Sequence, residues 1–528
     1  MFLIMSGAYI GQELESEFGK IPPSFLPLGN RRLFQHQVKS APEGVNVFIS
    51  VPESYQISTR DKKWLNAHSV TIIPTADDLI LGASLVAALN ISDQSLDSPL
   101  HVLFGDTLIQ TLPNGDDIIG ISEVNNSYNW AVITNSDLNW LSNREQKINL
   151  CSNDVVNGYF KFSQPRQLIK AITQNHWEFI GGLNSYHNAI GLTPVKVNDW
   201  LDFGHVNTYY HSKVAFTTQR SFNELIITKD WIEKSSYKNQ KIRAEANWFT
   251  ELPPKMRIYT PQFLGVTNNE KRFSYRLEYL HCTALNELFV FALLPTMIWT
   301  KILNNCTDFI VQCRDYNAPQ NVEYNSLDEL FRVKTEQRLS EYCQSQGIRF
   351  DQYWIFNENE PTTLIELMAS SKKHLPVTNI PVSLLHGDFC FSNILYDFRA
   401  NRVKTIDPRG LTTDEQLTIY GDTRYDLAKL SHSVLGLYDW IIAGYYDVKI
   451  ENNKITFSLD GIKQHKDTQQ SFIEIIESKF GLTALNLYAM QIQLFLSMLP
   501  LHSDDLLRQQ ALFANAFRLY GIIKRLEQ

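Results

Sequence analysis

The 528-residue chain carries 48 Lys and Arg against 56 Asp and Glu, a formal net charge of −8. Its 44 % hydrophobic and 20 % charged residues are typical of a globular protein and exclude collagen-like and disordered chains. No Lys/Arg block interrupts this mild acidity, which argues against a nucleic-acid-binding protein because phosphates require a basic surface. At about 150 residues per domain, the length predicts three or four domain-sized units, or two larger ones.

Cysteines and apolar segments indicate the compartment. The cysteines form no CxxC pair and complete no zinc site, so we interpret them as buried thiols in a reducing compartment. The N-terminal MFLIMSG is typical of a first strand and not of a signal peptide. The stretch 480–503 lacks charged side chains but contains polar ones, and it predicts a buried helix. We therefore expect a cytoplasmic protein without membrane insertion. The cysteines are Cys151, Cys282, Cys306, Cys313, Cys343 and Cys390.

In the first part of the chain, short apolar strands alternate with helical segments. Strands are predicted at 2–5, 45–51, 70–73 and 101–104, and a helix at 78–89. This alternation favours an α/β domain, for which we expect the bounds 1–215, with its site on the loops.

A second pattern begins near residue 216. Strands at 225–227, 231–234 and 273–280 surround a predicted helix at 240–252, and mostly helical sequence follows. The pattern predicts an α+β domain over 216–528, with a small β-rich lobe at about 216–280 and a large helical lobe at about 281–528. Within the large lobe, residues 325–347 predict one amphipathic helix.

Two neighbouring motifs contain the chemistry of the second domain: LLHGDFCFSNILYD at 384–397 and VKTIDPRG at 403–410. Phosphoryl transfer needs a carboxylate that accepts the hydroxyl proton and oxygen ligands for Mg²⁺. Asp388 and Asn393 are five residues apart, which is the spacing of HRDxxxxN in kinase catalytic loops. Asp407 follows at the end of an apolar strand, where a second metal carboxylate would lie.

These motifs resemble the catalytic and metal loops of aminoglycoside phosphotransferases and choline/ethanolamine kinases, which have a bilobal protein-kinase-like fold. The resemblance implies that Asp388 is the catalytic base and that Asn393 and Asp407 bind Mg²⁺. GDTRYDLAKL, at 421–430, is similar to the family segment whose aspartate, here Asp426, braces the catalytic loop. The alternative is that HGD is a polar turn.

A kinase also needs a lysine on a strand that binds the ATP phosphates and a glutamate on the next helix that holds it. Lys234 in WIEKSS and Glu245 in KIRAEANWF are eleven residues apart, which suits a strand, a turn and the start of a helix. The alternative is a surface lysine and a solvated glutamate.

The adenine and phosphate contacts are less distinct. YRLEYLHCTAL, at 275–285, resembles the family hinge, which implies that backbone groups of Glu278, Tyr279 and Leu280 meet the adenine of ATP. TTQRSFNELIIT, at 217–228, contains no glycine, so no GxGxxG loop covers the phosphates and nucleotide affinity is expected to be modest.

The acceptor is expected to be a sugar, polyol or amino alcohol. An alkylammonium acceptor would favour aromatic faces beside a carboxylate, and LYDWIIAGYYD, at 437–447, contains four aromatic side chains. The alternative is that they form helix-packing core. They are Tyr438, Trp440, Tyr445 and Tyr446.

Residues 1–215 resemble sugar-phosphate nucleotidyltransferases, through IMSGAYIG, IPPSFLPLGNRRLFQHQV, VLFGDTLI, FIGGLNSY and WLDFGH in that order. The resemblance implies a Rossmann-like, GT-A-type domain that uses CTP or another nucleoside triphosphate. Asp106 and Asp202 match the family's metal aspartates, which hold Mg²⁺ beside the α-phosphate. Alternatively, each aspartate is structural; a strand-end Asp followed by Thr is often a helix cap.

The cations that would bind a triphosphate are missing from three places. The glycine-rich GxGxR of the family is here GAYIG, its PK is Pro23-Ser24, and an EKP-like motif is SQP. Lys20, Lys161 and Arg166 lie near enough in sequence to substitute. Each lost charge-assisted hydrogen bond costs about 1.5 to 3 kcal/mol. Three alternatives stay open: an active transferase, a sugar- or nucleotide-binding domain without catalysis, and an unrelated α/β domain.

Together the two parts predict an ATP- and Mg²⁺-dependent small-molecule kinase fused to a nucleotidyltransferase-like domain that activates or senses the phosphorylated product. The fusion resembles proteins of bacterial capsule and surface-polysaccharide synthesis. Expected partners are a small hydroxyl compound and nucleotides, and not nucleic acid. The alternative is a binding or scaffold protein of polysaccharide assembly with vestigial sites.

Overall fold

The structure is a computed structural model, which describes residues 1–124, 128, 130–134, 140–143, 154–220, 225–236, 239–269 and 272–528. Cys151 lies outside these residues. The chain divides into two compact units, Met1–Gln219 with Phe291–Leu293, and Arg220–Val290 with Leu294–Gln528.

The first unit alternates strands and helices. Its strands are β1 (Phe2–Met5), β2 (Val47–Pro52), β3 (Val70–Thr75), β4 (Leu100–Phe104), β5 (Thr107–Ile109), β6 (Ile118–Glu123), β7 (Ala131–Ile133), β8 (Leu141–Asn143), β9 (Asp154–Phe162), β10 (Thr193–Lys196) and β11 (Trp200–Asp202). Its helices are α1 (Gln12–Phe18), α2 (Leu33–Lys39), α3 (Thr59–Ala67), α4 (Leu81–Ile91), α5 (Pro165–Gln174), α6 (Phe179–Ala189) and α7 (Val206–Arg220), with a 3₁₀ turn at Pro23–Phe25.

One sheet with the strand order β10-β6-β9-β4-β1-β2-β3 organises the first unit. β1 is parallel to β2 and β4, whereas β9 is antiparallel to β4 and β6. All four residues of β1 are buried, as expected for a central strand covered on both faces. Leu3 and Met5 belong to one apolar cluster, and Phe2 and Ile4 to another, because successive side chains point to opposite faces. The predicted α/β class is confirmed.

The second unit begins with a small antiparallel sheet and continues mostly as helices. Its strands are β12 (Leu225–Ile227), β13 (Trp231–Ser236), β14 (Phe263–Asn269), β15 (Arg272–Glu278), β16 (Thr283–Ala284), β17 (Ile355–Phe356), β18 (Ser383–Leu384), β19 (Ile394–Asp397), β20 (Arg402–Thr405), β21 (Tyr420–Gly421), β22 (Tyr446–Glu451) and β23 (Lys454–Leu459). The helices from residue 239 onward are α8 (Asn239–Glu251), α9 (Leu285–Phe291), α10 (Thr296–Cys313), α11 (Lys334–Gln346), α12 (Leu364–Lys373), α13 (Arg424–Val434), α14 (Tyr438–Ile442), α15 (Gly461–Gln464), α16 (Lys466–Phe480), α17 (Ala484–Met498) and α18 (Leu506–Glu527). Short 3₁₀ turns lie at Pro254–Tyr259, Phe391–Asn393 and Leu499–His502, and a π-helical turn at Glu329–Val333.

Helix α8 covers the sheet β12-β13-β15-β14. Its buried Phe249 contacts Phe263 of β14 and Tyr275 of β15, whereas Trp248 contacts the helical part, where its Nε1 donates to the Leu385 carbonyl at 2.7 Å. In the helical part, α17 is the central helix and packs against α11, α12, α13 and α18. This arrangement of a small β-rich lobe and a large helical lobe confirms the predicted bilobal α+β class.

Two predicted helices differ in detail. The helical segment predicted over 325–347 extends from 327 to 346, with a π-helical turn at Glu329–Val333 inside it, and it ends at Gly347 with φ +65°. The stretch 480–503 is interrupted because Gly481 adopts φ +67° after α16, and Thr483 with Asn486 forms a capping box that starts α17. Both glycines end their helices in the left-handed conformation that helix C-termini favour.

One helical stretch in the described part of the chain, Ala484–His502, is long and apolar enough to cross a membrane by length and composition. However, 67 % of its apolar window is buried inside the protein, as in a core helix. The prediction of a buried helix therefore agrees with its packing.

Two glycines with similar backbones provide a test of the packing. Gly410 (φ +63°) is the last residue of the IDPRG loop, and a Cβ there would lie 2.4 Å from the Ala244 carbonyl oxygen of α8. At Gly481 (φ +67°) a Cβ would meet nothing within 4 Å. We expect Gly481→Ala to cost about 1 to 2 kcal/mol through backbone strain alone. We expect Gly410→Ala to cost about 1 to 3 kcal/mol more through overpacking.

Urea unfolding monitored by circular dichroism, with both variants compared to the unchanged chain, measures the two losses. Equal losses would contradict the close packing of the IDPRG loop on α8.

Candidate functional site

The loop that carries Asp388 is held by one buried carboxylate. Asp426 accepts hydrogen bonds from the backbone N–H groups of His386 and Gly387, both at 2.8 Å. The His386 ring donates through Nε2 to the Ile406 carbonyl at 3.0 Å. Burial raises the pKa of Asp426 to about 7, although the two N–H donors act in the opposite direction. Asp426 thus lies where the sequence motif places a brace.

Asp388 is contacted on both carboxylate oxygens. Lys429 Nζ lies 2.8 Å from Oδ1, and Asn393 Nδ2 donates to Oδ2 at 3.0 Å and to the Asp388 carbonyl at 2.9 Å. Burial acts to raise the pKa of Asp388, but the Lys429 ammonium outweighs it and holds this pKa below its usual range. Asp388 is therefore ionised at neutral pH, and its side chain is 40 % exposed. A carboxylate in this state can accept a proton from a hydroxyl group.

Strand pairing brings Asn393 close to Asp407. The N–H of Ile406 donates to the Asn393 carbonyl at 3.0 Å, directly before Asp407. Asp407 adopts φ +55°, which an L-residue with a side chain seldom does. Such conformations cluster at functional sites because surrounding structure must impose them.

Lys234 joins Asp407 to Glu245. Its ammonium lies 3.0 Å from Asp407 Oδ1 and 2.7 Å from Glu245 Oε2, which also accepts a 2.7 Å hydrogen bond from the Tyr275 hydroxyl. Tyr275 is the cross-strand neighbour of Lys234 in the β13–β15 pair. Burial acts to lower the pKa of Lys234, but the Asp407 and Glu245 carboxylates raise it above its ordinary value. The lysine is therefore a permanent cation at this place.

Five side chains predicted for the second domain thus converge in space. They are Lys234, Glu245, Asp388, Asn393 and Asp407.

Backbone groups of the predicted hinge, residues 278–280, already form hydrogen bonds within the protein. The N–H of Glu278 donates to the Gln262 carbonyl and that of Tyr279 to the Asp230 carbonyl, both at 2.9 Å. The carbonyl of Leu280 accepts from the N–H of Cys282 at 2.9 Å. The Glu278 side chain accepts from the N–H of Gln262 and borders a separate cavity beside Lys404. Two of the amides expected to meet adenine are therefore already committed to protein carbonyls.

The donor set near Asp388 fits Mg²⁺. Because Asn393 Nδ2 donates to Asp388, the amide oxygen of Asn393 is directed elsewhere, and Asp407 uses only Oδ1 for Lys234. Mg²⁺ in nucleotide sites is commonly held by one or two protein carboxylates together with phosphates and water. Among the described residues no group of three or more His, Cys, Asp or Glu side chains could hold a metal, so the phosphates would have to supply further ligands here.

In the first unit, Asp106 and Asp202 face the same point. Asp202 ends β11 opposite Thr107 of β5, and a Cβ on Gly204 would lie 2.7 Å from Asp106 Oδ2 and 3.4 Å from Asp202 Oδ1. Asp202 Oδ2 is buried and has no hydrogen-bond partner among the described residues. Burial, and then the Asp106 charge, raise the pKa of Asp202 to about 7. A buried and a partly buried carboxylate with one unsatisfied oxygen are a donor set that fits Mg²⁺.

The first unit's candidate phosphate-binding cations are engaged elsewhere. Lys161 pairs with Asp116 at 2.7 Å, and Arg166 pairs with Asp97 at 3.2 Å. Lys20 lies over the Tyr9 ring, 4.3 Å from its centroid. Ser24, in the position of the family's lysine, donates to the Gly105 carbonyl at 3.1 Å. The sequence predicted that the family's phosphate-binding cations are missing. In the structure, the three cations that could replace them already contact other side chains.

Three of the four aromatic side chains in the segment 437–447 are buried, which favours the alternative of helix-packing core over an alkylammonium pocket. Trp440 and Tyr445 are 3 % and 4 % exposed, and their rings contact each other at 5.5 Å. Tyr438 stacks on His432 at 4.6 Å, and Tyr446 begins β22. None of the four lines the cavity beside Asp388.

That cavity, of about 500 Å³, contains residues that sequence reasoning missed. Lys429 follows Asp426 by three residues on α13, so the helical spacing could have indicated that it lies on the same face as the brace. Lys334 and Arg338 come from α11, and no motif marks them.

Comparison with known proteins found similarity only among solved structures. No protein-family profile and no curated protein matches the sequence. Among solved structures, the inositol-1-phosphate CTP transferase from T. maritima is 12 % identical, with a TM-score of 0.33 and coverage of 42 % of this chain and 97 % of the other. Aminoglycoside-3'-phosphotransferase of type VIII is 12 % identical, with a TM-score of 0.30 and coverage of 54 % and 97 %.

A thermostable mutant of aminoglycoside phosphotransferase APH(4)-Ia, in a ternary complex with ADP and hygromycin B, is also similar at 12 % identity and a TM-score of 0.35. The match covers 59 % of this chain and 97 % of the phosphotransferase chain. The solved structures similar to this chain include nucleotidyltransferases and aminoglycoside phosphotransferases.

The acidic pair of the first unit predicts a magnesium effect on stability. In chelated protein, added Mg²⁺ is expected to raise the Tm of the unfolding transition of the first unit, because a ligand of the folded state stabilises it. Asp202→Asn should remove this shift. The shift should be smaller at pH 5.5 than at pH 8, because Asp202, with a pKa of about 7, is protonated at the lower pH.

Differential scanning calorimetry with and without Mg²⁺ makes the measurement, with Asp116→Asn as a control that removes an exposed carboxylate of the same unit. An undiminished Mg²⁺ shift in Asp202→Asn would show that the metal binds elsewhere.

Proposed function

We propose that the second unit transfers the γ-phosphoryl group of ATP to a hydroxyl group of a small molecule, with Mg²⁺. The observation that supports this most directly is the placement of an ionised Asp388 beside Asn393, with the Lys234 link to Asp407 and Glu245 in the same cleft. These are the functional groups that phosphoryl transfer requires: a base, oxygen ligands for the metal, and a cation for the phosphates.

In the proposed reaction, Asp388 accepts the proton of the acceptor hydroxyl while the acceptor oxygen forms a bond to the γ-phosphorus. The bond from that phosphorus to the β–γ bridging oxygen breaks, and ADP leaves. Lys234 binds phosphate oxygens and is held in place by Glu245. Mg²⁺ bound by Asn393 and Asp407 would offset the charge of the phosphates. Lys429 keeps the base ionised and oriented.

For the first unit we propose Mg²⁺-assisted binding of a phosphorylated compound or nucleotide by Asp106 and Asp202. Activation of the kinase product with CTP or another nucleoside triphosphate would extend this role, and the proposed setting is capsule or surface-polysaccharide synthesis in the cytoplasm. The pairing of Lys161 and Arg166 with other acids favours the alternative, a binding or scaffold domain without transfer. Mass spectrometry of products formed with ATP and CTP separates these two roles.

The base assignment predicts the result of a minimal substitution. Asp388→Asn keeps the size of the side chain but cannot accept the hydroxyl proton, so ADP release should fall by about 10² to 10⁴-fold. A coupled ADP assay with a panel of sugars, polyols and amino alcohols measures the rate. Asp414→Asn, an exposed aspartate outside the cavity lining, serves as the control and should keep full activity. Unchanged turnover in Asp388→Asn would refute the base assignment.

Lys429 predicts a change in the pH profile. The Lys429 ammonium holds the pKa of Asp388 below the usual range. We therefore expect kcat/KM of the unchanged enzyme to fall only at acidic pH. In Lys429→Met the burial of Asp388 is no longer opposed by this cation, so its pKa rises and the acidic limb moves to higher pH. Rates measured from pH 5 to 9 test this shift; an unmoved limb would mean that Lys429 does not tune the base.

A further inference from the structure

The cavity beside Asp388 has one strongly basic wall. Four cationic side chains line this wall, and the other lining residues include the apolar Leu494, Met498 and Leu501. A volume of about 500 Å³ is in the range of small-molecule sites. The cationic residues of this wall are Lys334, Arg338, Arg409 and Lys429; a fifth lining cation, Lys241, lies 4.0 Å from the Glu245 carboxylate.

Three elements supply these cations. Lys334 and Arg338 are four residues apart on α11 and therefore lie on one face of the helix. Lys429 comes from α13, and Arg409 from the IDPRG loop. The ammonium groups of Lys334 and Lys429 each lie 6.0 Å from the centre of the Tyr425 ring, so they approach the same aromatic side chain.

Most of this positive charge is not neutralised by the protein. Lys429 pairs with Asp388, but within the described part of the chain Lys334, Arg338 and Arg409 form no ion pair with a carboxylate. Arg338 donates only to the Ser497 carbonyl, at 3.2 Å. By contrast Arg332, half a turn before Lys334, pairs with both Asp328 and Glu336.

The carboxylates that line the cavity do not neutralise the positive charge of this wall. Asp407 and Glu245 are joined by Lys234, and Asp388 by Lys429, which leaves the exposed Glu415. Burial lowers the pKa of Lys334, and the neighbouring Arg409, Arg338 and Lys429 lower it further. Cations that repel one another inside a partly buried cavity would be stabilised by a bound anion.

We propose that the acceptor of the phosphoryl group is itself an anion, a hydroxyl compound bearing a carboxylate or phosphate group that Lys334 and Arg338 bind while its hydroxyl faces Asp388. This proposal rests on the proposed kinase function and narrows its substrate class. In the step, the hydroxyl proton passes to Asp388, the acceptor oxygen bonds to the γ-phosphorus, and ADP is released. The anionic group is unchanged and only orients the acceptor.

A matched set of hexoses tests the charge requirement. The acceptors are glucuronate (carboxylate), glucose 1-phosphate (phosphate), glucose (neutral) and glucosamine (cationic), each assayed for ADP release and for thermal stabilisation of the full chain. We expect at least one anionic member to have at least tenfold higher kcat/KM than the neutral and cationic members, and to raise Tm where they do not. The two anionic members distinguish a carboxylate from a phosphate.

The double variant Lys334→Gln/Arg338→Gln should raise KM for the anionic acceptor at least tenfold and abolish its thermal shift, while KM for ATP changes less than twofold. Arg332→Gln removes a nearby positive charge, but Arg332 lies outside the cavity lining. This variant should change neither KM for the anionic acceptor nor its thermal shift.

Equal use of neutral or cationic hexoses, or an unchanged thermal shift in the double variant, would overturn the proposal and leave the kinase function standing. If instead an anionic hexose binds through these residues but no member releases ADP in the unchanged chain, the proposed kinase function fails and the anion site stands. Absence of any thermal shift with both anionic hexoses overturns the anion site.

Discussion

The second unit depends on the ion network around Lys234. One ammonium contacts a carboxylate on α8 and another at Asp407, 173 residues away in sequence. The strand β13, helix α8 and the IDPRG loop are therefore tied at one point. Because Glu245 is almost fully buried, loss of the Lys234 ammonium would leave a poorly solvated carboxylate, and such losses are costly. The network holds one end of the cleft, while Asp426 separately holds the loop that carries Asp388.

Charge is arranged differently in the two units. In the second unit, carboxylates of the cleft are matched by lysines, and an excess of cations lines the wall beyond Asp388. In the first unit, the buried Asp202 and the partly buried Asp106 lie close together, whereas Lys161 and Arg166 pair with surface acids. The net charge of −8 is therefore not evenly distributed between the two sites. Cations are in excess in the cavity beside Asp388, and carboxylates are in excess at Asp106 and Asp202.

Sequence was informative where function requires fixed spacing within a short segment. The Asp388–Asn393 spacing and the Lys234–Glu245 separation each span a loop or a strand and helix, so local geometry alone brings the pairs within reach. The basic wall was not predictable in this way. It combines Lys334 on α11 with Lys429 on α13, 95 residues later, and their proximity depends on how α11, α13 and α17 pack. The aromatic segment 437–447 left a pocket and a packed core open for the same reason, since only packing shows that most of its rings are buried.

The close approach of Gly410 to the carbonyl of Ala244 has a mechanical consequence. Ala244 precedes Glu245 on α8, and Gly410 follows Asp407 by three residues, so the contact lies next to the ion network. A backbone contact without an intervening side chain leaves little room for sliding. Sliding of α8 along the IDPRG loop would bring these backbone atoms into collision, so the two elements are expected to move together.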